Sequence, residues 1–249
     1  MKKKIIQFIR KLVGTDKIFQ YQHKVHEKQR RKLEEIYKAL LFESTIKNSE
    51  WLKNKSFSPG RMAVDFGFLF TLYRVLNDTK PKKIVEFGLG QSTRMISQYC
   101  DFFKASCITF EHNQNWIDHF RQDFNHTQHL TIFKDELLDV EYKGVKTARY
   151  KSDIGNICGE NIELVVLDGP VGSPHFSRSQ ILDLMPSKIN QSNFCIILDD
   201  LVRDGEKETA NEIFSRLKEN EIEFEAKIYS AENDHLVICS SNNHFLTSL

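Results

Sequence analysis

Acidic side chains stand at the ends of four of the five short apolar segments in the second half of this sequence. Glu86 is the penultimate residue of the first segment, Glu111 follows the second, Asp168 follows the fourth, and Asp199 and Asp200 follow the fifth. If these segments are parallel strands, their carboxyl ends meet at one sheet edge, where ligands bind in open α/β folds. A single acid there needs no explanation, because a strand end must meet water. Four acidic strand ends at one edge predict a binding site.

A glycine turn follows the first apolar segment, in the stretch "VEFGLGQST". Gly88 and Gly90 would let the backbone approach a ligand, and Ser92 and Thr93 begin a predicted helix whose N-terminal N–H groups can bind a carboxylate. The stretch "GLGQSTR" has neither the spacing nor the lysine of a Walker loop. A dinucleotide-binding fingerprint has its third glycine where this sequence has Thr93. The turn therefore favours a different kind of nucleoside ligand.

The acids beside the turn narrow the class of that ligand. Glu86 suits a ligand that carries a cation such as an ammonium group. Glu111 lies about twenty residues beyond the turn, where an acid can accept hydrogen bonds from ribose hydroxyls. Both acids would repel a pyrophosphate. An adenosine with a zwitterionic amino-acid tail and a sulfonium fits these residues better than a dinucleotide or a triphosphate.

Strands that alternate with amphipathic helices must position these residues. The apolar segments predict strands at 83–87, 107–110, 130–133, 163–167 and 194–198, and helices near 92–103, 114–124, 178–185 and 206–220. Such alternation is typical of a parallel sheet with helices on both faces. The end of the chain differs, because residues 221–241 predict a hairpin. The sequence therefore predicts an α/β protein with a Rossmann-like, doubly wound sheet.

The first 55 residues predict a basic helical arm attached to a domain of residues 56–249. Residues 1–40 carry twelve Lys or Arg and four acids, or +8, whereas the whole chain carries +1. Apolar residues before Gly14 cluster on one side of a first predicted helix, which could lie on an anionic membrane or pack on protein. A second helix is predicted over 18–48 and could support a homo-oligomer.

Composition indicates a protein of a reducing compartment. The five cysteines form no CxxC pair, so they favour buried thiols over disulfides or a zinc site. No apolar run approaches the ~20 residues of a spanning helix. The expected location is the cytoplasm, with peripheral contact at the inner membrane face left open through the arm.

At the residues described above, the chain resembles the class I S-adenosylmethionine-dependent methyltransferases. "VEFGLGQST" is similar to their glycine-rich motif, "TFEHNQNW" to the segment with the ribose-binding acid, and "LVVLDGP" to their fourth-strand motif. The resemblance covers about residues 60–241 and implies a seven-stranded sheet in the order 3-2-1-4-5-7-6, the seventh strand antiparallel. It implies a site for S-adenosylmethionine formed by Glu86, Gly88, Gly90, Ser92, Thr93, Glu111, His112 and Asp135. Asp135 would meet the adenine amino group, and a solvated turn is the alternative.

The stretches "VVLDGP" and "IILDDL" resemble the metal-binding motifs of catechol-type O-methyltransferases. The resemblance implies that Asp168, Asp199 and Asp200 hold Mg²⁺ or Mn²⁺, with Asp168 at the catalytic centre. Mg²⁺ prefers carboxylate oxygens and retains waters that a substrate hydroxyl can replace. The catechol enzymes have a lysine base where this chain has Val171, so the base must lie elsewhere or be the metal-bound oxygen. His175 is a candidate base, and a solvent-facing loop histidine is the alternative.

A further resemblance concerns the acceptor. "EFGLGQST", "DGPVGS" and "DDLVRDGEKET" are similar to stretches of bacterial methyltransferase-like proteins found with cell-surface polysaccharide genes, and "FGLG" and "DGP" to plant glucuronoxylan O-methyltransferases. Both likenesses imply a carbohydrate hydroxyl as acceptor. Arg178 and Arg203 flank the same edge and could bind an acidic sugar or a phosphate. Either could instead neutralise the carboxylates.

Other functions stay open from the sequence. A nucleic-acid methyltransferase could use the basic arm, but base N-methylation commonly uses an [ND]PP[YFW] motif, and "DGPV" lacks its aromatic platform for a flipped base. Nucleic acid is therefore disfavoured as a partner. A small-molecule methyltransferase is a second alternative. A third is a non-catalytic module that binds the donor within a biosynthetic complex, against which the complete set of acids argues.

Overall fold

The protein is built around one seven-stranded sheet, seen in a computed structural model that describes residues 15–60, 63–124 and 127–249. Its strands are β1 (Lys83–Phe87), β2 (Ser106–Glu111), β3 (Leu130–Lys134), β6 (Leu164–Leu167), β7 (Cys195–Leu198), β8 (Phe224–Ser230) and β9 (Asp234–Ser240). Their spatial order is β3-β2-β1-β6-β7-β9-β8. The first five strands are parallel, and β9 is antiparallel to both β7 and β8. The predicted strand order is confirmed, including the antiparallel final strand.

A two-stranded hairpin was missed by the sequence reasoning. Strands β4 (Leu137–Tyr142) and β5 (Val145–Tyr150) form a separate antiparallel ribbon between β3 and β6. Its turn residues, Lys143 and Gly144, have φ angles of 50° and 80°, as a type I′ hairpin turn requires. The Lys-Gly pair between two runs of mixed polarity was the signal available in the sequence.

Helices cover both faces of the sheet. They are α1 (Thr15–Ile46), α2 (Phe66–Thr79), α3 (Gln91–Phe103), α4 (Gln114–Asp123), α5 (Ile154–Cys158) and α6 (Asp204–Glu219). The predicted helix at 178–185 is instead a short 3₁₀ turn, Ser179–Asp183. A second 3₁₀ segment, Ser241–Ser248, follows β9.

Two hydrophobic layers result from the alternation of side chains along the buried strands. In β1, Ile84 lies in one layer with Met95 and Tyr99 of α3, whereas Val85 and Phe87 lie in the other layer. Successive strand residues point to opposite faces, so a strand buried on both faces is apolar almost throughout. This double burial holds the carboxyl ends of the parallel strands in a fixed position at one edge.

The C-terminal end of α1 belongs to the first of these layers. Phe42 and Ile46 are buried there, together with Trp51 and Leu52 from the segment that follows. Trp51 stacks on Tyr73 of α2 with ring centroids 5.0 Å apart. The boundary between residues 55 and 56 stays a prediction, as does the arm helix, which lies in residues 1–14 outside the described residues. Within the described residues, no helix is both long and apolar enough to cross a membrane.

Replacement of Phe42 should show how strongly α1 is attached to the domain. Phe42→Ala removes a fully buried ring and leaves a cavity, so we expect the free energy of unfolding to fall by about 3–5 kcal/mol. Urea unfolding followed by circular dichroism measures it. The control is Phe102→Ala, which removes a half-exposed ring and should cost less than about 1 kcal/mol. Equal losses for the two variants would contradict this attachment.

Candidate functional site

The turns after β1 and β6 touch each other backbone to backbone. Gly88 has φ +98°, and a Cβ built there would lie 2.9 Å from the nitrogen of Gly169. A Cβ on Gly169 would lie 2.7 Å from the Cα of Gly88. A Cβ on Gly90 would meet nothing within 4 Å. The glycine turn is therefore closed towards β6 and open around Gly90, where a ligand could approach the backbone.

Glu86 lies beneath the glycine turn. Its carboxylate is fully buried, and one oxygen accepts hydrogen bonds from the hydroxyls of Thr93 and Thr109, both at 2.7 Å. Thr93 Oγ1 also accepts from the N–H of Gly90 at 2.9 Å. Burial raises the pKa of Glu86 to about 7. The carboxyl therefore supports the turn through Thr93, and its predicted contact with a ligand cation stays a prediction.

The side chains at the start of α3 are also internal. Ser92 and Thr93 are both buried, so their contribution at the open side of the turn comes from the backbone. The structure thus brings Gly90 and the start of α3 to the sheet edge as predicted by the strand pattern, with the two hydroxyl groups turned inward.

Glu111 connects the end of β2 to the glycine turn. Its Oε2 accepts from the N–H of Leu89 at 3.2 Å, and its Oε1 accepts from the N–H groups of His112 and Asn113 at 2.8 Å. His112 Nδ1 lies 3.0 Å from Glu111 Oε1. The indole N–H of Trp116 donates to the carbonyl of Leu89 at 2.6 Å. The three backbone N–H groups occupy three of the about four lone-pair sites of the carboxylate, so one site on Oε2 stays available for a ligand hydroxyl.

Asp135 stands next to this group, after β3. Its Oδ1 accepts from the N–H of Glu136 and its Oδ2 from the N–H of Ser152, both at 2.9 Å. Its own N–H donates to the carbonyl of Glu111 at 3.0 Å. The ends of β2 and β3 are therefore joined at the edge where an adenine was predicted.

Asp168, Asp199 and Asp200 converge at the ends of β6 and β7. One oxygen from each can be chosen so that all three lie within 4.8 Å of one another. Burial raises the pKa of Asp168 to about 6, and the charge of Asp200 adds to this rise. Burial and the charge of Asp168 hold the pKa of Asp199 well above its ordinary value. Hard carboxylate oxygens at this spacing are a donor set suited to a divalent cation.

Arg178 lies inside the acidic group. Its side chain is 3% exposed, and its Nη2 lies 2.6 Å from Asp200 Oδ2 and 3.5 Å from Asp168 Oδ1. Its Nη1 donates to the backbone carbonyls of Leu167 and Asp199, both at 3.0 Å. These contacts correspond to the second role left open by the sequence, neutralisation of the carboxylates. A substrate contact by Arg178 stays a prediction.

Arg203 and Glu206 complete the group from the start of α6. Arg203 is half exposed, and its Nη1 lies 2.9 Å from Asp200 Oδ2 and 3.6 Å from Glu206 Oε1. Glu206 is fully buried and accepts from Ser177 Oγ at 3.0 Å. The sequence reasoning missed Glu206, although its position one helical turn after Arg203 was a usable signal. If all are ionised, four carboxylates and two guanidinium groups leave two negative charges.

His175 lies on the exposed loop after β6. Its Nδ1 is 3.0 Å from Oε1 of Glu208, a second residue that the sequence reasoning did not select. Glu208 Oε2 also accepts from the N–H of Phe176 at 3.0 Å, so it fixes both the loop backbone and the imidazole. A carboxylate that orients a histidine is a common arrangement in acid–base catalysis, but it also occurs in ordinary surface loops. The predicted role of His175 as a base stays a prediction.

Comparisons with known proteins give the fold. Neither a protein-family model nor a curated protein sequence matches the chain. The SAH-bound methyltransferase PaMTH1 of Podospora anserina matches with a TM-score of 0.51 and 11% identity, over 80% of this chain and 95% of that one. A Staphylococcus aureus protein assigned as a caffeoyl-CoA O-methyltransferase matches with a TM-score of 0.52 and 14% identity, over 84% of this chain and 100% of that one. The chain therefore has the fold of these methyltransferases, as the sequence resemblance implied.

The raised pKa of Glu86 should make stability depend on pH. Between the ordinary value of 4.5 and about 7, the folded chain keeps a proton that the unfolded chain has released. The free energy of unfolding should therefore fall by about 3 kcal/mol from this group as the pH rises through that window. Glu86→Gln cannot ionise and should lose this component in urea unfolding at pH 5, 6, 7 and 8.

The matched control for this titration is Glu136→Gln, which changes an exposed carboxyl and should keep the pH dependence of the unmodified protein. Parallel curves for Glu86→Gln and the unmodified protein would show that Glu86 does not titrate in this window.

Proposed function

We propose that the protein is an S-adenosylmethionine-dependent O-methyltransferase that acts, with a divalent cation, on a sugar hydroxyl. The observation that carries the proposal is the joining of three strand ends around the open glycine turn. The carboxylate of Glu111 bonds the turn at Leu89, and its carbonyl bonds Asp135 after β3. This arrangement offers polar groups for each part of an adenosine with an amino-acid tail.

Different residues at this edge of the sheet would bind different parts of the donor. Gly90 leaves space in which a ligand can approach the backbone, and the N–H groups at the start of α3 suit a carboxylate. The remaining lone pair of Glu111 suits a ribose hydroxyl, and Asp135 stands at the neighbouring strand end for an adenine amino group. When bound, S-adenosylmethionine supplies an electrophilic methyl group. The protein would hold its adenosine at β2 and β3 and its tail at the turn.

Charge balance supports a cation among Asp168, Asp199 and Asp200. Arg178 and Arg203 compensate two of the four carboxylates in this group, and a divalent cation would compensate the remaining two charges. Burial raises the pKa values of Asp168 and Asp199, and the negative charge of the neighbouring Asp200 adds to the rise. A bound cation would therefore offset the cost of keeping these buried carboxyl groups ionised. Bound Mg²⁺ or Mn²⁺ would lower the pKa of an acceptor hydroxyl. Asp168 links this group to the donor turn, because it directly precedes Gly169, whose backbone contacts Gly88.

The proposed acceptor is a carbohydrate, from the resemblance to polysaccharide-cluster and glucuronoxylan proteins. The half-exposed guanidinium of Arg203 could contact an acidic sugar at the rim of the acidic group. His175, oriented by Glu208 on the adjoining loop, is proposed to take the proton of the acceptor hydroxyl. A sugar presents adjacent hydroxyls that can meet such charged groups through hydrogen bonds.

Donor binding can be measured without knowledge of the acceptor. Isothermal titration calorimetry with S-adenosylhomocysteine should show binding, and Glu111→Gln should weaken it by about 1–3 kcal/mol because a charged acceptor is lost. Glu136→Gln, at the next strand end, should bind as the unmodified protein does. Binding of NADH in the absence of any response to S-adenosylhomocysteine would overturn the donor assignment.

Cation binding has a readout that needs no reaction. Titration with Mn²⁺, followed by electron paramagnetic resonance, should show one site that is lost in Asp199→Asn with Asp200→Asn, because two of its three carboxylates are removed. Asp204→Asn, four residues beyond Asp200 and exposed, should bind Mn²⁺ normally. Methyl transfer should stop in excess chelator and return with Mg²⁺ or Mn²⁺. Full activity in the chelator would exclude the cation from the reaction.

The acceptor class is tested with labelled donor and purified surface polysaccharide from cells that lack this gene. We expect the label in an O-methyl sugar after hydrolysis and mass spectrometry. Label in nucleic acid would contradict the sugar assignment. Normal donor binding without transfer to any glycan would favour a non-catalytic donor-binding module.

A further inference from the structure

Between residues 31 and 40, helix α1 has charged side chains on its domain side and apolar side chains on its outward side. Residues two apart in a helix point about 200° from each other. Leu33 is two residues from both Arg31 and Glu35, and Leu40 is two residues from Lys38. Arg31, Glu35 and Lys38 contact the domain. The apolar side chains two residues away from them therefore point outward.

The domain side of α1 is held by charged groups. Arg31 forms an ion pair with Asp234 at 2.8 Å, and Glu35 accepts from the N–H of Phe66 at the start of α2 at 2.8 Å. Lys38 is buried with its Nζ 5.0 Å from the ring centroid of Phe70. These contacts fix the rotation of the helix about its axis. The helix cannot turn its outward side chains to the domain without breaking all of them.

The outward side carries a group of large apolar side chains, here called the apolar quartet. The exposed fractions are 67% for Leu33, 57% for Ile36, 58% for Tyr37 and 67% for Leu40. Their spacing of i, i+3, i+4 and i+7 places them on one continuous face. Isolated exposed apolar residues are ordinary, but four contiguous ones on a helix are typical of an interaction site. The described residues leave this face exposed.

We infer that the apolar quartet binds a second copy of this chain, with the two α1 helices antiparallel. The spacing of the quartet is the same in both directions along the chain, so a twofold axis between Ile36 and Tyr37 pairs Leu33 with the partner's Leu40. It also pairs Ile36 with the partner's Tyr37. A self-complementary patch of this kind is what an isologous dimer requires.

The charges beside the quartet support this partner. In the antiparallel pair, Lys32 and Glu43 lie on the same flank of the quartet, and the axis brings Lys32 of each chain near the partner's Glu43. Both side chains are exposed, and neither forms an ion pair with another residue in the described part of the chain. An anionic membrane would attract Lys32 but repel Glu43, and Gln29 would enter the apolar phase with no partner. In a helix pair, a polar residue on the seam is accommodated at some cost in stability and helps to fix the register.

The experiment is light scattering on the full-length chain after size exclusion, at micromolar concentration. We expect a dimer of about 58 kDa, twice the 29.2 kDa of one chain. Leu33→Glu with Leu40→Glu should give a monomer with an unchanged circular dichroism spectrum, because both side chains are exposed in the single chain. The control is the double variant Phe102→Glu with Ile228→Glu. It changes two exposed apolar residues outside α1 and should stay dimeric.

A charge exchange tests the antiparallel arrangement itself. Lys32→Glu places the new acid of each chain opposite the partner's Glu43, so the dissociation constant of the dimer should rise roughly tenfold. Addition of Glu43→Lys to this variant should restore the dimer, which a purely structural role of Lys32 would not do.

Three outcomes would overturn the inference. The unmodified chain is monomeric, or the dimer survives Leu33→Glu with Leu40→Glu, or Glu43→Lys fails to restore the Lys32→Glu variant. Monomers that float with anionic vesicles, and lose flotation in the Leu33→Glu, Leu40→Glu variant, would assign the face to a membrane instead.

Discussion

The turn after β1 and the turn after β6 approach so closely that neither Gly88 nor Gly169 has room for a side chain. This contact places the open glycine turn directly beside Asp168, and the rest of the candidate site is arranged around it. Groups that would hold a methyl donor lie on the β2 and β3 side. Groups that would hold an acceptor lie on the β7 side. Since the reacting atoms must meet between them, the close backbone contact sets the distance over which any transfer would occur.

Buried charge is the second organising feature, and the two sides of the site treat it differently. Under the glycine turn, Glu86 has hydroxyl partners and no nearby guanidinium contact among the described residues, so burial raises its pKa. On the other side, carboxylates are compensated by Arg178 and Arg203. The first arrangement can keep a neutral carboxyl as a support for the turn. The second leaves a net negative charge around Asp168, whose side chain is only partly buried, so a cation can reach it.

The sheet and the positions of its acids could be predicted from sequence because both depend on short-range patterns. An apolar run followed by Gly or Asp marks a strand end, and the family resemblance supplied the order of the strands. The orientation of individual side chains could not be predicted in the same way. The sequence places Glu86 and Arg178 at the ligand edge, but whether each faces the ligand or the interior depends on packing between elements far apart in the chain. Thr109, for example, is 23 residues from the Glu86 carboxylate that it contacts.

The two arginines of the acidic group differ in their access to solvent, so ionic strength should affect their charges differently. Arg178 is enclosed and bonds the carbonyls that end β6 and begin the turn after β7, so mobile ions cannot screen its contacts. Arg203 is half exposed, and salt at physiological concentration screens such charges beyond about 8 Å. Salt would therefore weaken the influence of the outer arginine while leaving the inner one intact. The electrostatic potential met by an approaching acceptor would change with the medium, although the geometry of the carboxylates would not.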